Sequence, residues 1–283
     1  MQRLAETYWF DNVRFDCVGA YRPESTPDRF ALRKTPWMAQ RYTQLAEEMP
    51  AARVVELGID EGASTAFFSY LWREGRLIAF DLGADPAQAF SAFLSEAGIE
   101  DRVKACWGVD QSDAKTVTDA IRGFMGPDPL DLVIDDASHL LGPTLASFEA
   151  LFPLVRPGGC YVIEDWAWEL QLQRGLVDAL RRGDADITQR LAETPERTEL
   201  PMAQVLPALT LLAGGHSEIL AEVTVRGPWA ELRRGPAPLG DDFSVAELIG
   251  QVGLDTLAAH PVQGAHGRGR LWGGRRPQAP KRP

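Results

Sequence analysis

VVELGIDEGAST, residues 54–65, begins as a buried strand and ends as the first turn of a helix. Glu56 closes the apolar run, and Gly58 and Gly62 frame the turn. A ligand lying against such a turn needs bare backbone, and a Cβ at either glycine would block it. The spacing is E-x-G-x-x-x-G, not the G-x-G-x-x-G that brings backbone against a pyrophosphate. The turn therefore suits a ligand without phosphate, and Glu56 offers negative charge to a cationic amine. A strand, turn and helix with no ligand is the competing reading.

Outward from this stretch, short apolar runs alternate with helical ones. Strands are expected at 53–58, 76–81, 102–108, 130–136 and 159–165, with helices near 63–74, 85–97, 112–124 and 143–154. Buried strands joined through amphipathic helices predict an α/β fold, a parallel sheet covered on both faces. Ligands in such sheets lie at the carboxyl ends of the strands. Asp81 ends the second strand, where a carboxylate can accept both hydroxyls of a ribose. Asp110 and Gln111 end the third, in reach of an adenine edge, with helix capping by Asp110 or Ser112 as the plainer reading. Upstream, Thr35-Pro36 predicts a helix start, an N-cap residue before proline at the first position, with the helix stopping near Pro50.

LVIDDASH (132–139) and VIEDW (162–166) end the fourth and fifth strands. Neighbouring parallel strands would bring Asp136, Glu164 and Asp165 together, with Asp135 close by. Like charges so placed repel and raise each other's pKa unless something neutralises them. A hard divalent cation with oxygen ligands does so, and Mg²⁺ fits best. His139 would point into the same cleft, where an imidazole can take a proton from a hydroxyl at neutral pH. Structural roles for the histidine and capping roles for the acids remain the alternatives. Trp166 and Trp168 follow directly and would wall an apolar acceptor pocket, or else pack in the core.

LVRPGGCYVIED (154–165) adds an Arg-Pro-Gly-Gly turn before a buried strand. With the motifs above, the chain resembles the class I methyltransferases that use S-adenosylmethionine (SAM), over roughly residues 35 to 235. The resemblance implies a Rossmann-like, seven-stranded, mostly parallel sheet of order 3-2-1-4-5-7-6, with the last strand antiparallel. It implies SAM held by Glu56, Gly58, Gly62, Ser64, Asp81, Asp110, Gln111 and Asp135. D-D-x-S-H followed by I-E-D is similar to a narrower group, the metal-dependent O-methyltransferases of natural-product pathways. These include the macrolide sugar, cephalosporin-hydroxylase-like and rhamnosyl O-methyltransferase proteins. Lys34-Thr35-Pro36 is similar to their opening segment. By resemblance, Asp136, Glu164 and Asp165 would be the Mg²⁺ ligands and His139 the general base. After Asp165 the chain departs from the group with W-A-W-E-L, which leaves the acceptor undefined. The function implied is methylation of a hydroxyl on a glycosylated or polyketide-type secondary metabolite. Three alternatives are a metal-free small-molecule methyltransferase, a hydroxylase-associated relative whose partner performs the chemistry, and a SAM-binding scaffold.

Bulk properties agree with an ordinary enzyme. Of 283 residues, 45% are hydrophobic and 24% charged, enough to bury a sizeable core. A net charge of −11 argues against nucleic acid or an acidic membrane surface as partner. The expected partner is a small hydroxylated molecule, and the resemblance also implies a homo-oligomer, which no residue establishes. Cys17, Cys106 and Cys160 have neither disulfide nor zinc spacing. No secretory signal or membrane span is evident, so a cytoplasmic location is expected. The organisation expected is an N-terminal cap segment and opening helix (1–50), a methyltransferase domain (51–250) and a C-terminal extension (251–283) without fixed structure from about 264. The first 35 residues read as irregular. Within the domain, 166–215 reads as a helical lid or substrate insertion and 218–235 as a terminal hairpin.

Overall fold

The computed structural model describes residues 6–18, 23–182 and 201–250. Parity along its strands decides what each face of the main sheet carries. β4 (Arg53–Leu57), β5 (Arg76–Asp81), β6 (Val103–Trp107), β7 (Leu130–Asp135) and β8 (Val155–Ile163) run parallel. β9 (Leu220–Arg226) and β10 (Trp229–Arg234) form the hairpin expected at the end, and β10 inserts antiparallel beside β8. The resulting order, β6-β5-β4-β7-β8-β10-β9, is the 3-2-1-4-5-7-6 arrangement. Successive side chains on a strand face opposite ways. Val54, Leu132, Ile134, Cys160 and Val162 therefore enter one core, and Val55, Leu57, Val133, Tyr161 and Ile163 the other.

The first core is covered by α1 (Pro36–Glu48), α2 (Ala63–Leu71) and α3 (Gln88–Ala97). Thr35 caps α1 as expected, accepting from the Met38 amide at 3.2 Å, with Pro36 in the first turn. Helical spacing then buries Met38, Ala39, Tyr42, Leu45 and Ala46. The second core is covered by α4 (Ala114–Met125) and α5 (Leu141–Leu151), and beyond α6 (Trp168–Arg181) by α7 (Val205–Gly215) and α8 (Val245–Ile249).

Three readings of the sequence need correction. The first 35 residues were expected to be irregular, yet among the described ones β1 (Thr7–Phe10), β2 (Val13–Cys17) and β3 (Arg29–Leu32) make a small sheet in the order β1-β2-β3. Phe15, Phe30 and Leu32 of that sheet are fully buried in the first core, under α2 and α3. The interval 166–215 is not uniformly a lid, because α7 buries Val205, Leu206, Ala208, Leu209 and Leu212 against the main sheet. Its part from 183 to 200 lies outside the described residues, as does the tail from 251. Finally, the Arg156-Pro157-Gly158-Gly159 turn lies within β8, whose pairing with β7 shifts register there.

Candidate active site

The loops after β4, β5, β6 and β7, with the segment that follows β3, surround a cavity of about 430 Å³, a size typical of small-molecule sites. Gly58, Ser64, Asp81, Asp110, Gln111 and Asp136 line it, as does Lys34. Three non-glycine residues, in the loops after β4, β7 and β8, have φ near +50°: Asp60, His139 and Asp165. Left-handed backbone in such residues is uncommon and clusters at functional sites.

Asp81 ties two loops together. Its Oδ2 accepts from the Ile59 and Asp60 amides at 2.8 and 2.9 Å, and its Oδ1 from Gly83 at 2.7 Å. Gly58 is needed because a Cβ there would overlap the Asp136 backbone, so it brings the ends of β4 and β7 together. Gly62 serves differently from expectation. It does not line the cavity; a Cβ would strike the buried Phe90 ring of α3, and its φ is +84°. Asp110 adopts the capping role, accepting from the Ser112 amide and hydroxyl at 2.8 and 2.7 Å, although Asp113 is the N-cap of α4.

Strand parity separates the remaining acids. Asp135 shares the face of Val133 and points into the second core, away from the cavity. There it accepts from Gln111 Nε2 at 3.1 Å, Ser147 Oγ at 2.9 Å and the Tyr161 hydroxyl at 3.1 Å. Burial pushes its carboxyl up to about 6, against those bonds. Gln111 also accepts from the Ser138 amide at 2.8 Å. Its amide therefore fastens the β6 and β7 loops to each other, rather than turning both its polar ends toward a ligand.

Glu56 and Glu164 lie on the opposite parity, facing α1 and α2. Thr65 donates to Glu56 Oε2 at 2.6 Å, while Oε1 is buried with no hydrogen-bond partner among the described residues. Burial lifts Glu56 to about 7, countered only in part by the nearby Ser64 and Thr65 hydroxyls. Glu164 accepts from Lys34 Nζ at 2.8 Å on Oε2 and from the Tyr42 hydroxyl on Oε1. Lys34 Nζ also donates to Asp136 Oδ2. Burial and the Asp136 charge raise the Glu164 pKa, and Lys34 opposes them. Burial disfavours the charge on Lys34, yet its two acid partners hold its pKa above the ordinary lysine value.

Asp136, His139 and Asp165 each offer a ligand atom, and these atoms lie within 4.8 Å of one another. Asp136 Oδ1 stands 3.8 Å from His139 Nε2. Burial and Asp136 raise the Asp165 pKa. The two carboxylates fit a hard divalent cation, and the imidazole stands beside them. Glu164, expected as a third carboxylate in this group, is turned instead to Lys34 and Tyr42. Trp168 Nε1 donates to the His139 carbonyl at 2.9 Å, so this indole holds the strained histidine in place. Trp166 packs partly buried against the second core.

Sequence reasoning gave no role to Lys34 or Tyr42. The signal was present: buried acids require a cation, and Lys34 directly precedes the Thr35 cap of a helix whose buried face includes Tyr42.

Residues 55–166 match the family model described as a methyltransferase domain. Demethylmacrocin O-methyltransferase of Streptomyces fradiae is 33% identical over 138 residues, 46% of this chain and 31% of that protein. Mycinamicin VI 2''-O-methyltransferase of Micromonospora griseorubida is 32% identical over 121 residues, 40% of this chain and 27% of that protein. The matched stretch thus spans about a third of the length of these curated relatives. Among solved structures, the mycinamycin-pathway methyltransferase MycE, in complex with Mg and SAH, is 24% identical with a TM-score of 0.47, covering 70% of this chain and 50% of that one. Over residues 55–166 the chain is thus similar to methyltransferase domains, and the curated relatives that it matches are O-methyltransferases.

Proposed function

We propose that the protein transfers a methyl group from SAM to a hydroxyl of a small secondary metabolite, with Mg²⁺ in the acid cluster and His139 as general base. The observation that carries this reading is the double membership of Asp136, which lines the cavity and also belongs to the Asp136–His139–Asp165 group. That residue joins a place for the cofactor to a place for proton removal.

SAM bound in the cavity supplies an electrophilic methyl group. Asp81 fixes the Gly58–Gly62 loop by accepting its amides, and its carboxylate faces the same cavity for ribose hydroxyls. Glu56, with its unpartnered buried Oε1, supplies negative potential for the cationic end of the cofactor. Asp136 and Asp165 are the carboxylates proposed to hold the divalent cation, and Glu164 joins them only by giving up its bond to Lys34. When bound, that cation supplies positive charge that eases ionisation of a neighbouring hydroxyl. His139 Nε2 takes the hydroxyl proton, and the Trp168 bond to its carbonyl keeps the imidazole oriented. The relatives are named for methylating oxygens of demethylmacrocin and mycinamicin VI, and a glycosylated or polyketide-type acceptor is proposed here by that likeness.

Asp136→Ala should abolish most turnover and Mg²⁺ affinity while leaving SAH binding within about threefold, since the backbone, not this side chain, shapes the loop. Full activity of that variant in excess chelator would overturn the metal-dependent mechanism. A metal-free methyltransferase is the second reading, and a specific contact favours it: Lys34 already places one cation on Asp136 and Glu164.

A further inference from the structure

Lys34 sits between β3 and the cap of α1, with its side chain only 3% exposed. Lysine is almost never buried unless paired, and here the pairing is specific. Nζ donates to Asp136 Oδ2 and to Glu164 Oε2, and Tyr42 donates to the other oxygen of Glu164. Glu164 therefore has both oxygens committed inside the protein. Asp136 has one committed, while its Oδ1 faces His139 and the open side of the cluster. Asp136 is thus shared between a built-in cation behind it and whatever occupies the cleft in front.

Resting on the methyltransferase reading above, we infer that Lys34 is a resident cation that competes with the divalent metal for Asp136 and Glu164, and so sets how tightly the site takes metal. A positive charge bonded to a carboxylate weakens that carboxylate's attraction for a second cation, and the weakening is large where water is excluded. The lysine also lets the acid cluster fold without metal, because it neutralises charge that burial would otherwise make costly. The result is a metal site that is stable when empty and binds loosely enough to exchange its ion. Lys34 is on this account a positioning residue: it acts on metal and acceptor through Asp136 and Glu164.

The test is calorimetric titration of Mg²⁺ into the SAH-loaded protein and into Lys34→Met, which keeps the stem and removes the charge. Lys34→Met should bind Mg²⁺ at least tenfold more tightly; a lysine that only braced the fold would, on removal, loosen the site and weaken binding. If Lys34→Met does not fold, Glu164→Gln and the double variant Lys34→Met/Glu164→Gln replace it. The double variant removes the buried pair as a unit and should bind Mg²⁺ at least tenfold more tightly than Glu164→Gln alone. Equal or weaker metal binding, in proteins that bind SAH normally, would overturn the role of Lys34 and leave the methyltransferase reading standing. Failure of the parent protein itself to bind SAH would overturn that reading, and this inference with it.

Discussion

Glu56 is the residue on which burial and charge conflict most openly. A carboxyl whose folded pKa is lifted from 4.5 to about 7 binds its proton more tightly in the folded chain than in the unfolded one. Its stabilisation is therefore complete below about pH 4.5 and is lost as pH rises to about 7. Glu56→Gln escapes that loss, so in cofactor-free protein with chelator present its melting temperature should exceed the parent's at pH 8. The gain should shrink toward pH 5, and its ceiling is on the order of 3 kcal/mol. A difference independent of pH would contradict the assignment. Trp168 offers a second test at this scale. Trp168→Phe keeps an aromatic ring but removes the donor to the His139 carbonyl, a bond of about 1 kcal/mol. Turnover should fall up to about tenfold with SAH affinity unchanged; unaltered kcat would mean that the indole does not orient the base.

At the scale of elements, the turn between β4 and α2 shows how one glycine can be read correctly and for the wrong reason. Gly62 is required, but by α3 and not by a ligand, because the fully buried Phe90 ring occupies the space a side chain would take. Gly62→Leu should therefore destabilise the fold by about 2 kcal/mol or more, from overpacking and a left-handed backbone. Denaturant unfolding measures this, and a parent-like midpoint with lost SAH binding would restore the ligand explanation. The parallel strands themselves were plain in the sequence, since strands buried on both faces read as continuous apolar runs. The β1–β3 sheet was not plain. Val13 and Phe15 alternate with Arg14 and Asp16 as a strand should, but Pro23 and Pro27 dominate the segment and β3 reaches β2 from beyond them. α7 was hidden for a related reason: VLPALTLLAGG is apolar on every side, yet it follows a charged stretch that sets the character of the whole interval.

Across the whole molecule, convergence of the site follows from sheet order. Placing β4 between β5 and β7 brings the Gly58 loop against Asp81 on one side and Asp136 on the other. Strand ends were enough to predict Asp136, His139 and Asp165 as neighbours. They were not enough to sort Asp135 from Glu164, because a strand's last residues alternate faces and only register shows which face is which. Nor did strand ends show Lys34, which arrives from outside the main sheet on the segment that joins β3 to α1. The described residues include no helix long and apolar enough to cross a membrane.

The central claim is that this cavity binds SAM beside a metal-competent acid cluster. Calorimetric titration with SAH, before and after adding Mg²⁺ to chelator-treated protein, tests it most directly. The account predicts SAH binding in both conditions and a separate Mg²⁺ heat in the SAH-loaded protein. Well-folded protein that gives no SAH heat in either condition would contradict it.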